Sequence, residues 1–179
     1  NTKANNYTMN VNVALPIVDS VTLRKSYPGT LTAQSEVKLV ARVNGFLQQV
    51  NYKPGDLVHK GQTLFIIEPK PYKEAVAQAE AQLSSAKSQN EYAKTNYESM
   101  KEASKTNAVS KIDFVQAETT WNQSIAALKS AESTLENAKI NLGYCYIKAP
   151  FNGHISQKTV DVGNYLNGSA NPFVLATIY

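Results

Sequence analysis

Apolar positions along this chain change rhythm twice. Before Pro69 and again after Leu142, apolar and polar residues alternate in short runs broken by Gly, Pro and Asn. That is the period-two signature of strands with one buried face. Between Tyr72 and Leu142 there is no Gly or Pro, and the apolar positions recur at alternating steps of three and four. Val76, Ala79, Leu83, Ala86, Asn90, Ala93, Tyr97 and Met100 form one such series. Phe114, Ala117, Trp121, Ser124, Leu128, Ala131, Leu135, Ala138 and Leu142 form the second. This spacing draws one narrow stripe down a helix, the seam of a coiled coil. Many seam positions are Ala, which lets two helix axes approach closely. Gln, Ser, Lys, Asn and Glu keep the other faces wet.

The rhythm lapses from Ser104 to Ser110. Ser110 is placed to cap the second helix, with Asp113 three residues on, and Asn107 suits a left-handed turn position. A loop this short makes the helices antiparallel. The predicted unit is a helical hairpin over 71–142 with its tip near 104–110. At ~1.5 Å per residue it reaches roughly 50 Å. A rod of that shape has no enzymatic pocket of its own; its use is reach.

The flanking segments contain a pseudo-repeat. Ala41-Arg42-Val43-Asn44-Gly45-Phe46-Leu47 is answered by Ala149-Pro150-Phe151-Asn152-Gly153-His154-Ile155, and Gly45 stands as far from Gly55 as Gly153 from Gly163. Gly45, Gly55, Gly61, Gly153, Gly163 and Gly168 read as structural turns, hairpins and bulges that need positive φ. Two such halves, 37–70 and 143–179, are expected to pack as a flattened sandwich. The first 36 residues alternate at Val11–Leu15 and Val18–Leu23. They turn at Pro28–Gly29 and resume extension through Leu31. Alone these strands bury too little to be stable. They are predicted to belong to an incomplete β-barrel domain whose remainder follows Tyr179. The apolar alternation that runs to Tyr179 suggests a chain cut within a strand.

Composition narrows the chemistry. Of the 179 residues, 42% are hydrophobic and 18% charged, which suits one or two globular domains. The net charge of +4 comes from scattered Lys and Arg with no basic block beside aromatics, so no nucleic-acid partner is expected. No apolar run approaches the roughly 20 residues that cross a bilayer, and no signal peptide opens the chain. Cys145 lies in a strand-like run and reads as a buried inert thiol. His59 and His154 are isolated, a weak metal signal. Asp56, Glu68, Asp113 and Asp161 are dispersed over different elements. No phosphate-binding or dinucleotide motif is present. The expectation is a protein that is not an enzyme and carries no metal or cofactor.

The two half-motifs resemble the biotinyl/lipoyl fold. Splitting that fold with a long helical hairpin resembles the periplasmic adaptor, or membrane fusion, family (HlyD-like). The residues that carry the likeness are Pro28-Gly29, Val43-Asn44-Gly45, Pro54-Gly55-Asp56-Leu57-Val58, Gly61-Gln62-Thr63-Leu64 and Ile66-Ile67-Glu68-Pro69. After the hairpin come Ile147-Lys148-Ala149-Pro150-Phe151-Asn152-Gly153 and Val174-Leu175-Ala176-Thr177. The resemblance implies an α+β chain: a lipoyl-like β-sandwich split by an antiparallel coiled-coil hairpin, plus strands of a partial β-barrel domain. It implies a periplasmic adaptor of a tripartite efflux pump, held to the inner membrane by an N-terminal anchor absent from this chain. Its partners would be an inner-membrane pump, of RND or ABC type, and a TolC-like outer-membrane channel. Family members form rings, typically of six. An ABC-driven macrolide or type I secretion exporter is the alternative, and a biotinyl/lipoyl carrier domain a more distant one.

Many family members carry an Arg, a Leu and a Ser at the tip for channel docking. Ser110 fits the Ser position, while Ser99 stands for the Arg and Ala103 for the Leu. Met100, Lys105, Thr106, Asn107 and Val109 complete the docking set that the resemblance implies. Ser110 serves either as a helix cap alone or as a docking residue. In carrier domains the modified Lys sits in a turn between the halves. Here the helices occupy that place, and Lys70 lies between Pro69 and Pro71. Neither lipoylation nor biotinylation is expected.

Overall fold

Short alternating runs become short strands, and the two heptad series become two helices. The computed structural model describes residues 4, 8–30, 32–33, 35–168 and 173–179. The first half holds β1 (Val37–Val40), β2 (Gly45–Val50), β3 (Leu57–Val58) and β4 (Thr63–Ile67). The helices are α1 (Lys70–Lys105) and α2 (Lys111–Tyr144). The second half holds β5 (Tyr146–Lys148), β6 (Gly153–His154), β7 (Tyr165–Leu166) and β8 (Val174–Ile178).

Every strand before the helices bonds to one after them. β1 pairs with β8, β2 with β7, β3 with β6 and β4 with β5, all antiparallel. Within the first half β2 also pairs with β4. Its counterpart is the bridge from Ile155 to Ile178, beside which His154 and Tyr179 exchange backbone hydrogen bonds at 3.1 and 3.0 Å. One layer therefore runs β5-β4-β2-β7, and the equivalent strands of the other follow β1-β8-β6-β3.

The correspondence reaches single hydrogen bonds. Leu47 donates to Asn164 O at 2.9 Å and accepts from Gly163 N at 2.8 Å. Ile155, its partner in the repeat, donates to Asp56 O at 3.1 Å and accepts from Gly55 N at 2.9 Å. Both side chains lie in one core with Val58, Phe65, Ile67, Leu166, Leu175 and Ile178. Burying each such side chain contributes about 1.5–3 kcal/mol. Neither half encloses that core alone.

Two expectations are corrected. The Asn-Gly pairs do not make two-residue hairpins, because β1 pairs with β8 and not with β2. Positive φ occurs at Gly45, Gly55, Gly61 and Gly163, but not at Gly153 or Gly168. Those two are glycine for space. A Cβ on Gly153 would strike Tyr179 O and approach Ile178 Cγ2 to 2.9 Å, and one on Gly168 would strike the peptide joining Arg42 to Val43.

The expected strands at Val11–Leu15 and Val18–Leu23 are also not formed. Residues 8–30 carry no strand, and Val11, Val13, Leu15, Val18, Val21 and Leu23 are exposed. A strand exists only through a ladder partner for its N–H and C=O groups, and none pairs with this segment among the described residues. Leu31, expected in the strand after the Pro28–Gly29 turn, lies outside the described residues. Residues 1–32 separate from 33–179 as their own unit.

The helices begin at Lys70 and end at Tyr144, one residue before and two after the expected span. Pro71 is tolerated in the first turn, where its missing N–H costs nothing. At 36 and 34 residues the helices reach about 50 Å. Each residue of both heptad series is buried or half-buried. Ala79, Ala93, Ala117, Ser124 and Leu135 are the most enclosed. The polar seam pair is satisfied: Asn90 Nδ2 donates to Ser124 Oγ at 2.9 Å, and Ser124 Oγ donates to Trp121 O at 2.7 Å. Toward the tip Tyr97 stacks on Trp121, with ring centroids 4.8 Å apart, and meets Phe114 at 5.7 Å.

Candidate docking tip and the clamp at its base

The tip closes by a helix stop followed at once by a helix start. Asn107 has φ +54, the left-handed residue that ends α1. Asn107 N donates to Ser104 O at 3.2 Å and Ala108 N to Ala103 O at 3.0 Å, the paired bonds of a Schellman stop. Thr106 Oγ1 adds a third bond to Ala103 O at 3.0 Å. Ser110 starts α2 from an extended backbone, and its Oγ accepts from Asp113 N at 3.3 Å. The capping role read from the sequence is present.

These bonds sort the predicted docking residues. Lys105, Thr106, Asn107 and Ser110 are exposed at the end of the rod, whereas Met100, Ala103 and Val109 are half-buried beneath them. Lys105 Nζ lies 2.8 Å from Glu102 Oε2, and that hydrogen bond holds the Glu102 carboxyl below its usual range. Ile112, not singled out from the sequence, is 77% exposed in the first turn of α2. Its signal was available: it is a large apolar residue off the seam spacing, beside the cap. The tip thus offers hydroxyls, an amide, the ammonium groups of Lys105 and Lys111, and the apolar side chain of Ile112.

At the other end the hairpin is tied to both halves of the β unit. Asn44 Oδ1 accepts from Gly168 N at 2.8 Å, and Tyr72 Oη donates to Asn44 O at 2.7 Å. One asparagine thereby joins the first half, the second half and α1. Asn152 repeats the side-chain bond by accepting from Lys60 N at 2.7 Å. Ile67 N donates to Cys145 O at 2.8 Å where α2 runs out, and the Arg42 guanidinium lies 5.2 Å from the Tyr144 ring centroid.

Residues 35–177 match the family described as RND MFP, barrel-sandwich hybrid domain. The chain belongs to this family.

Curated relatives agree. The chain is 31% identical over 168 residues to the multidrug resistance protein MdtA of Pantoea ananatis (strain AJ13355), covering 93% of this chain and 41% of that one. It is 32% identical over 150 residues to the MdtA of Yersinia pestis (strain Pestoides F), covering 83% and 34%. The chain thus spans well under half the length of these relatives. Among solved structures it resembles a MacA-MexA chimeric protein containing the Pseudomonas aeruginosa MexA α-hairpin domain. That match has TM-score 0.58 and 27% identity, over 82% of this chain and 46% of the other. The membrane fusion protein of Streptococcus pneumoniae R6, at TM-score 0.60 and 18% identity over 82% and 62%, shares the fold.

The family is one of adaptors and not of enzymes. Among the described residues no group of three or more His, Cys, Asp or Glu is placed to hold a metal ion, and no helix is long and apolar enough to cross a membrane. Lys70 is the first residue of α1 and is exposed, with Pro on either side. Cys145 caps α2 and is fully buried, and burial pushes its thiol up to about 11. A thiol so protonated is a poor nucleophile.

Proposed function

We propose that this chain is the hairpin-bearing part of a periplasmic adaptor subunit in a tripartite efflux pump. It bridges an inner-membrane transporter and a TolC-like outer-membrane channel. The observation that carries this reading is the nested strand pairing: four strands before the helices close on four after them, fixing a 50 Å hairpin on one rigid base. Chain reversal at Asn107 puts the tip at the far end of a lever, where it meets a partner and catalyses nothing. The RND description of the matched family supports a transporter of that type over an ABC exporter.

Docking falls to Lys105, Thr106, Asn107 and Ser110, with Ile112 as the apolar anchor and Met100, Ala103 and Val109 as the floor. The β units stack side by side into a ring, and the ring multiplies weak tip contacts by avidity. The segment 8–30, with its exposed alternating apolar residues, belongs to a β-barrel domain. The subunit is held to the inner membrane through an anchor outside this chain. It carries no lipoyl or biotinyl group and binds no nucleic acid.

The test is site-specific photocrosslinking in cells, with the photoreactive residue at Lys105. An adduct to an outer-membrane channel is expected. Adducts confined to the inner-membrane transporter, with none to a channel, overturn the assignment of the tip.

A further inference from the structure

The outer edges of β1 and β5, equivalent strands of the two halves, flank one open cleft of about 240 Å³. Its walls are apolar, from Leu39, Val40 and Ile147 with the rings of Tyr144 and Tyr146. Lys38, Arg42 and Lys148 also line it, and among the described residues no carboxylate does. None of the three cations belongs to a salt bridge among the described residues. Arg42 is instead held over the Tyr144 ring, an arrangement that orients a guanidinium without neutralising it. The carbonyl end of α2 enters at Gly143 and opposes an anion, but its partial charge is smaller than that of three full cations.

We propose that this cleft binds a small organic anion with a flat apolar body, an aryl carboxylate or sulfonate. The apolar body lies against Ile147 and the tyrosine rings, and the anionic head meets Arg42 with Lys38 and Lys148. At about 240 Å³ the cleft is smaller than the roughly 300–1,000 Å³ of drug-sized ligand pockets and open on one side, so it suits a small flat body that stays partly exposed. Lysines on exposed strand edges also discourage strand addition. That role accounts for Lys38 and Lys148, but it does not require Arg42 to be held over an aromatic ring beside an apolar wall. The inference is independent of the export reading.

The experiment is a titration of the full chain with 2-naphthoate, followed by amide chemical shifts. Saturable shifts confined to Val37–Arg42 and Gly143–Lys148 are expected. In Arg42→Gln/Lys148→Gln, binding should weaken by about tenfold or more, since a hydrogen bond to a charged group contributes about that factor. Circular dichroism on the same sample establishes that the variant is folded. Neutral 2-naphthamide should bind correspondingly worse. Equal binding of the amide, shifts located elsewhere, or no saturation at millimolar naphthoate overturns the proposal. Tight binding of an acidic peptide along both edges that excludes naphthoate also overturns it, and assigns the cleft to a protein partner.

Discussion

Asn44 and Asn152 perform one task twice: each side-chain oxygen crosses to the opposite half and accepts a backbone N–H, from Gly168 at 2.8 Å and from Lys60 at 2.7 Å. The two bonds are related by the pseudo-repeat, so their losses should match. Asn44→Ala and Asn152→Ala should each destabilise by about 0.5–1.5 kcal/mol. Asn→Asp at either site keeps the acceptor and should cost less. Urea unfolding followed by circular dichroism measures all four variants, and a large effect in one half with none in the other would refute the equivalence.

Gly153 and Gly55 sit in the same repeat for different reasons. Gly55 has φ +87 with open space where a Cβ would go, so Gly55→Ala costs only backbone strain, about 1 kcal/mol. At Gly153 the backbone suits any residue, but the Cβ would meet Tyr179 O and Ile178. Gly153→Ala should therefore displace the end of β8 and cost about 1–3 kcal/mol. Thermal melting ranks the two, and Gly153→Ala should melt lower.

The tip separates capping from docking. Asn107→Gly should be neutral or slightly stabilising at φ +54, whereas Asn107→Val should destabilise the hairpin end by about 1–2 kcal/mol. Ser110→Ala removes the acceptor for Asp113 N and should cost about 1 kcal/mol, while Ser110→Asn retains a cap. If the hydroxyl also docks, Ser110→Asn keeps its helicity yet loses the photocrosslink to the channel. An unchanged crosslink in that variant leaves Ser110 as a cap only.

Cys145 makes stability depend on alkaline pH. Its thiol is raised from 9.0 to about 11 by burial, so the folded state holds the proton longer than the unfolded one. Its contribution is complete below pH 9 and is lost as pH rises toward 11, amounting to at most about 2–3 kcal/mol. Urea midpoints between pH 8 and 11 should fall more steeply in the parent than in Cys145→Ala. Parallel curves would show that this thiol does not titrate with unfolding.

The heptad series is legible in the chain because its spacing is local: one turn of helix reports on the next, and Val76 to Met100 faces Phe114 to Leu142 as the stripe requires. The cap at Ser110 and the left-handed Asn107 were legible for the same reason. The pseudo-repeat was visible as matched spacings, and it located the shared core. It misassigned Asn44 and Asn152 to hairpin turns, because an Asn-Gly pair looks the same whether the strand turns back beside it or crosses to the other half. The strands expected over Val11–Leu23 failed because alternation states which face is apolar and says nothing about whether a ladder partner is present.

The sequence by itself determined which residues are helical, where the rod reverses, and that two β segments repeat each other. These are properties of neighbours within a few residues, set by side-chain period and turn chemistry. Tertiary structure alone decided which strand pairs with which, that Gly153 and Gly168 are small to admit a facing backbone, and that three cations meet at one cleft. Those facts join positions well beyond one helical turn or one tight hairpin, from Gly153 against Tyr179 within the second half to Gly168 against Arg42 across the two, and contacts at that range follow from how the chain folds back on itself and leave no periodic trace in the sequence.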